Sequence, residues 1–527
     1  MKGTIFMHSK NIEEILNHRK NMHLKLVVQG ILIGLITGLV IVLNRILISK
    51  FFTVFEDFYI KSRDNIYETI IVFITVSFFG LITGYMVKRE SMISGSGIPQ
   101  VKGRVINKIS VNWFKILVYK FLGGLISLSV GLSVGREGPS VQLGASIGEG
   151  LANKFVEKLH AKEEFLITAG ASAGLSAAFN SPLAGIIFAL EEVHRTFSPL
   201  VLLPAMAASL TADFISKNFL GMESALNFNI LTPLPLHLYW LLVILGIVTG
   251  VFGVIFCKGI YLFQNLYGKF KSIPIQFKVM FPFMITAIAG IISPILLGGG
   301  HEIIVHLANA NNSISQLSIL YIIKFLLLLI CFGSGVPGGI FLPMLLLGAL
   351  LGKIFGDISV TYLGINSIYV LNFITLAMAG YFVAVVKAPI TGIILIMEMT
   401  GSFSNLLSIA VVVIIAYLTS DILRNEPIYE KLLERFLNNV GAANHLDKHD
   451  KTLMEFVIEM DSTVEDKLIK DISWPKDCLL VAIKRGDSEI IPRGNVKLIA
   501  GDYIIVLVDD HKTSEIYEQI TSITLAD

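Results

Sequence analysis

Charge is scarce in this 527-residue chain. Asp, Glu, Lys and Arg make up 16% of it, against roughly 25% in ordinary globular proteins. With 54% hydrophobic residues and a mean hydropathy of +0.72, the main solvent of such a chain is lipid. The charges nearly cancel, 42 basic against 40 acidic, for a net +2, which argues against a nucleic-acid surface. Cysteine is scarce too: Cys257, Cys331 and Cys478 are scattered, with neither a CxxC pair nor a metal spacing, and read as packing residues. No GxxxxGK[ST] string occurs, so no ATP motor is indicated. His301-Glu302-Ile303-Ile304-Val305-His306 invites comparison with zinc proteases, but its histidines are five apart. On a helix they would point roughly 140° away from each other. Neither a metal site nor an enzyme is expected.

Long uninterrupted apolar runs are also few. Leu26–Leu43, Thr69–Val87, Tyr239–Cys257, Val279–Leu297, Ile319–Phe332, Tyr369–Val386 and Leu406–Ser420 are candidate spans, not all reaching the ~20 residues of a straight spanning helix. Met1–Lys25 is mixed polar, with Lys2, Lys10, Arg19, Lys20 and Lys25. It does not read as a cleavable signal, and its positive flank predicts a cytoplasmic N-terminus. The expected organisation is a polar N-terminal segment at 1–21, a membrane body at 22–436, a linker at 437–452 and a small domain at 453–527. In the last, Cys478–Lys484 and Tyr503–Val508 read as strands, punctuated by turns at Arg485-Gly486-Asp487 and Ala500-Gly501-Asp502. An α+β module on the cytoplasmic side is expected.

The membrane body repeats itself. Gly135-Arg136-Glu137-Gly138-Pro139 is followed by Gly144 and Gly148, and Gly338-Gly339-Ile340-Phe341-Leu342-Pro343 by Gly348 and Gly352, in both cases five and nine residues after the proline. Pro182-Leu183-Ala184-Gly185-Ile186-Ile187 leads to Glu191, and Pro389-Ile390-Thr391-Gly392-Ile393-Ile394 to Glu398. The offsets are 204 and 207 residues. Two such matches in the same order indicate duplication, with halves at about 22–220 and 235–436. Paired halves with Gly/Pro-interrupted segments point to a substrate site near the bilayer midplane. The spacing leaves open whether the halves are parallel or inverted. The glycines at Gly144/Gly148 and Gly348/Gly352 are expected to serve helix packing within the subunit.

A helix that starts inside a bilayer leaves its first N–H groups without partners, and lipid cannot supply any. Proline is tolerated in the first turn, and glycine lets the backbone approach a ligand. The exposed amides and the positive end of the helix dipole then favour an anion. Gly95-Ser96-Gly97-Ile98-Pro99 fits this description, as do the Glu137 and Phe341 segments. Glu137 lies at one break, and Glu191 and Glu192 end the apolar run Leu183–Leu190. Carboxylates at membrane depth are functional by default; for Glu191 and Glu192 a helix end at the water interface is the competing reading. Lys120, inside Ile116–Ser129, is either a structural counter-charge or a source of positive potential.

These three segments resemble the signatures of the chloride channel and transporter (CLC) family, and the likeness covers residues 22–436. The resemblance implies an all-α polytopic membrane protein of two inverted halves with broken helices. It also implies a homodimer in the cell membrane, with one anion pathway per subunit. Residue by residue it implies a central anion held by the Ser96 hydroxyl within Gly95-Ser96-Gly97-Ile98-Pro99, by the amides of Ile340 and Phe341, and by the hydroxyl of Tyr429. Glu137, flanked by Arg136, Gly138 and Pro139, would be the external gating glutamate, and Glu192 the internal proton-transfer glutamate that channels of the family usually lack. Serine at 96 resembles the chloride-selecting type, where nitrate-type relatives carry proline, and fluoride exchangers depart from these signatures. A chloride/proton antiporter is therefore expected, with chloride as substrate and no cofactor. The alternatives are a passive chloride channel or an exchanger for fluoride or nitrate.

The tail departs from the paired CBS domains of many relatives. Asp461-Ser462-Thr463-Val464, Leu479–Arg485, Ile490-Ile491-Pro492-Arg493-Gly494 and Ala500-Gly501-Asp502 resemble the C-terminal ligand-binding domain of RCK/TrkA potassium regulators. That implies a regulatory, dimerising domain for a small cytosolic ligand such as the nucleotide cyclic di-AMP, or a passive dimerisation module.

Overall fold

Apolar sequence in lipid has only two ways to satisfy its backbone, and this chain takes the helical one. The computed structural model describes all residues except 1, 107–108, 110, 156–159, 223–225, 227, 229–231, 308–311, 441–450, 487, 510–511 and 526–527. Residues 441–450, the middle of the expected linker, thus lie outside the described residues. The chain forms two compact units, Met1–Asn439 and Val440–Asp527.

Among the described residues the first unit has eight helices long and apolar enough to cross a membrane. They include α1 (Lys2–Ser62, apolar from His23), α2 (Ile66–Arg89), α8 (Pro199–Leu220) and α9 (Tyr239–Lys269). The others include α10 (Ile275–Ile292), α12 (Ile314–Gly333), α13 (Phe341–Leu363) and α14 (Val370–Val386). Shorter helices lie between them: α3 (Ile98–Val105), α4 (Trp113–Ser129), α5 (Glu137–Phe155), α6 (His160–Phe179) and α7 (Pro182–Phe188). After α10 come α11 (His301–Leu307), α15 (Pro389–Thr400), α16 (Leu406–Ile422) and α17 (Ile428–Val440). Val279–Leu297, read as one span, is α10 up to Ile292 and then a separate turn at Pro294–Leu296. Ser293 ends the helix in extended conformation, and Pro294 lacks the N–H to continue it.

The two halves meet through reciprocal contacts. Gly135 N–H donates to Gly339 O and Gly339 N–H to Gly135 O, both at 2.6 Å, an antiparallel bridge between the two breaks. The Glu191 carboxylate accepts from the N–H groups of Ile390 (3.2 Å) and Thr391 (2.7 Å) at the start of α15. The Glu398 carboxylate accepts from those of Leu183 (3.0 Å) and Ala184 (2.7 Å) at the start of α7. Contacts of i with j matched by j with i are what a two-fold axis produces. The repeat is therefore folded as a pseudo-two-fold pair.

Small residues allow the close crossings. A Cβ on Gly144 would collide with the carbonyl of Gly170 in α6, and one on Gly148 with that of Leu166. Gly348 and Gly352 stand likewise against Ala377 and Phe373 of α14. The glycine pairs thus pack helices within the chain.

The second unit is a four-stranded antiparallel sheet in the order β1-β4-β2-β3 with a C-terminal helix. Its elements are β1 (Lys451–Val457), β2 (Cys478–Arg485), β3 (Ser488–Ile490), β4 (Tyr503–Asp509) and α18 (Thr513–Thr524). Phe456, Ile483, Ile504, Val506, Ile516 and Ile520 form its core. Asp502 is fully buried and receives Arg485 Nε and a terminal guanidinium nitrogen, both at 2.8 Å. This bond raises the Arg485 pKa above its ordinary value.

Gly144→Ala is expected to force α5 and α6 apart, at about 2 kcal/mol or more. The check is thermal unfolding in detergent, where Gly268→Ala, with nothing near its Cβ, should leave the midpoint within the small range of ordinary surface changes.

Candidate anion-binding site

Each of three breaks aims a helix start inward. Gly97 is left-handed (φ 93) and caps α3, with Pro99 in the first turn. α5 opens with Glu137, and α13 with Phe341 after Ile340. The segments pack on one another: a Cβ on Gly138 would strike Ser96 Oγ, and one on Gly97 would strike the Gln142 side chain. The Phe341 ring lies among Phe179, Phe188 and Phe382, with centroids 5.2, 6.1 and 4.9 Å away. That packing leaves the start of α13 no choice of direction.

Two hydroxyls stand out. Ser96 is 2% exposed and Tyr429 is 0% exposed, and neither side-chain oxygen has a hydrogen-bond partner among the described residues. An unsatisfied buried hydroxyl costs about 1–3 kcal/mol. Both are O–H donors, suited to an anion. Tyr429 lies within electrostatic reach of both Glu192 and Glu137, and Ser96 lies against Gly138. Ser96 thus stands beside the start of α5 and Tyr429 near both glutamates.

Glu137 is fully buried. Its Oε2 accepts from Leu342 N–H at 3.4 Å, and its Oε1 has no partner. A carboxylate therefore occupies the positive N-terminus of α13. Arg136 and Arg45 act on it electrostatically. Arg45 escaped sequence reading because it sits in the apolar run of α1. It donates to Ala177 O at 2.7 Å and Asn180 Oδ1 at 3.0 Å.

Lys120 is fully buried and donates to Ile93 O (2.8 Å) and Gly95 O (2.7 Å). It ties down the loop that presents Ser96. Lys324, 204 residues on, does the same for Leu296 O (2.9 Å), Leu297 O (3.0 Å) and Gly298 O (3.0 Å). This exposes a third repeat that sequence reading missed. Gly95 and Gly97 (φ 65 and 93) correspond to Gly298 and Gly300 (φ 65 and 92), and α3 to α11. The missing proline hid it; the lysine pair was the usable signal.

The acidic pair divides. Glu191 caps α15, as above, and also receives the Thr391 hydroxyl at 2.7 Å. Glu192 is 3% exposed, and its Oε1 is 2.7 Å from Lys102 Nζ. Both sit on a short π-helical turn, Ala189–His194, of the kind often found at functional positions.

Two cavities open beside the duplicated loops. One of about 690 Å³ is lined by Gly95, Ser96 and Pro99 together with Lys269, Lys271, Lys278 and Arg435; its described lining includes no carboxylate. The other, of about 560 Å³, is lined by Gly298–Gly300, Arg136, His301 and His306, and includes Glu56 and Glu302. Among the described residues no cluster of metal-ligating side chains occurs. Gly170-Ala171-Ser172-Ala173-Gly174 has the GxSxG form of serine hydrolases but lies within α6, where Ser172 Oγ donates to Ala205 O at 3.3 Å. The strand-turn-helix context of a nucleophile elbow is missing there.

Residues 79–421 match the family model described as voltage gated chloride channel. The chain belongs to this family. Residues 453–521 match the TrkA-C domain. The chain is 36% identical over 364 residues to the "H(+)/Cl(-) exchange transporter ClcA" of Vibrio campbellii, covering 67% of this chain and 77% of that protein. It is 34% identical over 373 residues to the protein of the same name from Yersinia pestis, covering 70% and 78%. Among solved structures, a slow cyanobacterial Cl⁻/H⁺ antiporter superposes with a TM-score of 0.75 at 27% identity, covering 79% of this chain and 99% of that one. A CLC-type fluoride/proton antiporter shares the fold, with a TM-score of 0.61 at 23% identity over 76% and 95%.

Lys120→Met is expected to leave the carbonyls of Ile93 and Gly95 unpaired and to destabilise the membrane unit by about 2–4 kcal/mol. Thermal unfolding in detergent reads it, and Lys324→Met should show a loss of the same order.

Proposed function

We propose that the protein is a secondary-active chloride/proton antiporter of the cell membrane. The observation that carries this reading is the placement of two buried carboxylates, Glu137 and Glu192, in electrostatic reach of one partnerless buried hydroxyl, that of Tyr429. A passive conductor needs the hydroxyl; proton coupling gives the two acids, which also cap α13 and pair with Lys102, a role in common.

In the proposed cycle chloride sits at helix N-termini, held by the Ser96 and Tyr429 hydroxyls and the amides of Ile340 and Phe341. Glu137, when ionised, competes with chloride for the start of α13, where Leu342 N–H already receives it. When protonated it loses the attraction of those amides and leaves the place to the anion. Its proton passes on to Glu192, and from there to the opposite side. Arg136 and Arg45 add positive potential, and Lys120 holds the Ser96 loop. Electrostatic focusing by the all-cationic cavity at Ser96 feeds anions to the site.

In this reading the subunit pairs as a homodimer, both termini lie in the cytoplasm, and residues 22–436 form the transport domain. The tail from 453 onward then serves as a regulatory domain for a small cytosolic ligand, for which cyclic di-AMP is the proposed nucleotide. The 36% identity to named exchangers over two thirds of the chain supports the transport reading.

The test is reconstitution in liposomes under a chloride gradient, following external pH with and without a potassium ionophore. Proton movement uphill, driven by chloride, is expected; chloride flux without proton movement would identify a channel and overturn the proposal. Glu137→Gln and Glu137→Ala should abolish proton coupling yet pass chloride. Glu192→Gln should lose proton transport with chloride flux retained.

A further inference from the structure

Lys102 was not singled out by the sequence, yet it stands between the two environments that a proton leaving the protein must cross. It lies in α3, the helix that begins beside Ser96. Its Nζ is 2.7 Å from Glu192 Oε1 and 3.6 Å from Glu430 Oε1. The side chains of Lys102 and Glu192 are 6% and 3% exposed, whereas that of Glu430 is 35% exposed. Glu430 follows Tyr429 in α17 and also pairs with Arg195. Arg195, left-handed at φ 61, closes the π-turn that carries Glu192. The groups facing Glu192 are therefore Lys102, Arg195, Glu191 and Tyr429. Glu191 is held by the amides of α15; Arg195 also reaches both Glu192 and Glu430 but is 52% exposed, so Lys102 is the buried cation with two carboxylates to choose between.

We propose that Lys102 is a counter-ion shared by Glu192 and Glu430, and that its passage between them lets Glu192 load and release its proton at the Glu430 side. This rests on the reading of Glu192 as a proton carrier. When Glu192 takes a proton from water, its O–H bond forms and its ion pair is lost. An ammonium left alone in that dry setting would be strongly unfavourable, and Glu430 receives it. When Glu192 gives the proton back to water, the O–H bond breaks and the ammonium returns. One proton moves, Lys102 stays charged, and no buried charge is left unpaired. Lys102 and Glu430 are positioning residues in this scheme, setting when Glu192 is charged.

The experiment uses the full-length protein in liposomes, with proton and chloride flux recorded together while the pH on the Glu430 side is varied. Lys102→Met removes the cation, so Glu192 keeps its proton to higher pH; the profile of proton-to-chloride ratio should move up by about one pH unit, a tenfold change in proton concentration. Glu430→Gln leaves Lys102 to Glu192 alone, and the profile should move down by a similar amount. Lys102→Arg, which preserves the charge, should keep the wild-type profile. Unchanged profiles in Lys102→Met and Glu430→Gln, or shifts of the same sign, would make Lys102 a static strut and overturn the proposal, as would Lys102→Arg behaving like Lys102→Met. Should Lys102→Met carry no chloride, Glu430→Gln decides alone: a downward shift supports the shared counter-ion and an unmoved profile overturns it. Glu192→Gln is run alongside. If it stays coupled, the carrier reading itself falls; if it is uncoupled while Lys102→Met and Glu430→Gln are normal, only the shared counter-ion falls.

Discussion

A helix that begins inside a membrane must find an acceptor for its first amides, and much of this structure answers that one requirement. The starts of α7 and α15 are satisfied by Glu398 and Glu191, each supplied by the opposite half. The start of α13 receives Glu137. The first two carboxylates are reciprocal mates and lock the halves together. Glu137 has no mate: 204 residues on, the duplicated position is Phe341. The pairing of halves is symmetric where it holds the fold and asymmetric where the anion is handled.

The buried lysines follow the same logic. An ammonium in a dry interior needs oxygen ligands, and Lys120 and Lys324 find theirs in the carbonyls of two glycine-bearing loops. Each lysine donates to carbonyls that the loops leave unpaired, and the loops acquire a fixed shape. Ser96 is placed by that shape, beside the start of α5.

Much of this was legible in the residues themselves. The Gly/Pro breaks, the duplication and Glu137 are local signals, whereas Ser96, Tyr429 and the choice of Glu192 over Glu191 came through the family resemblance; the strands β2 and β4 announced themselves by runs of β-branched and other apolar residues. The spans α8 and α13 did not, because each contains charges that end an apolar run on paper. In the fold those charges cancel one turn apart, Asp213 with Lys217 at 2.7 Å and Lys353 with Asp357 at 2.8 Å. β1 begins inside a stretch that reads as linker, because its first two residues, Lys451 and Thr452, are polar. Lys102, Lys324 and Arg45 were invisible for a different reason: a cation's meaning depends on what faces it, and their partners lie 90, 26–28 and 132–171 residues away.

The third repeat also gives the two glycine-bearing loops unlike surroundings. The loop that offers the Ser96 hydroxyl opens on a cavity bearing four cations, whereas its counterpart offers Gly299, without a side chain, to a cavity that includes Glu56 and Glu302. The first cavity pairs cations with a hydroxyl donor, and the second sets Glu56 and Glu302 against Arg136. The two glycine-bearing loops thus face unlike electrostatic surroundings, a difference that added salt screens.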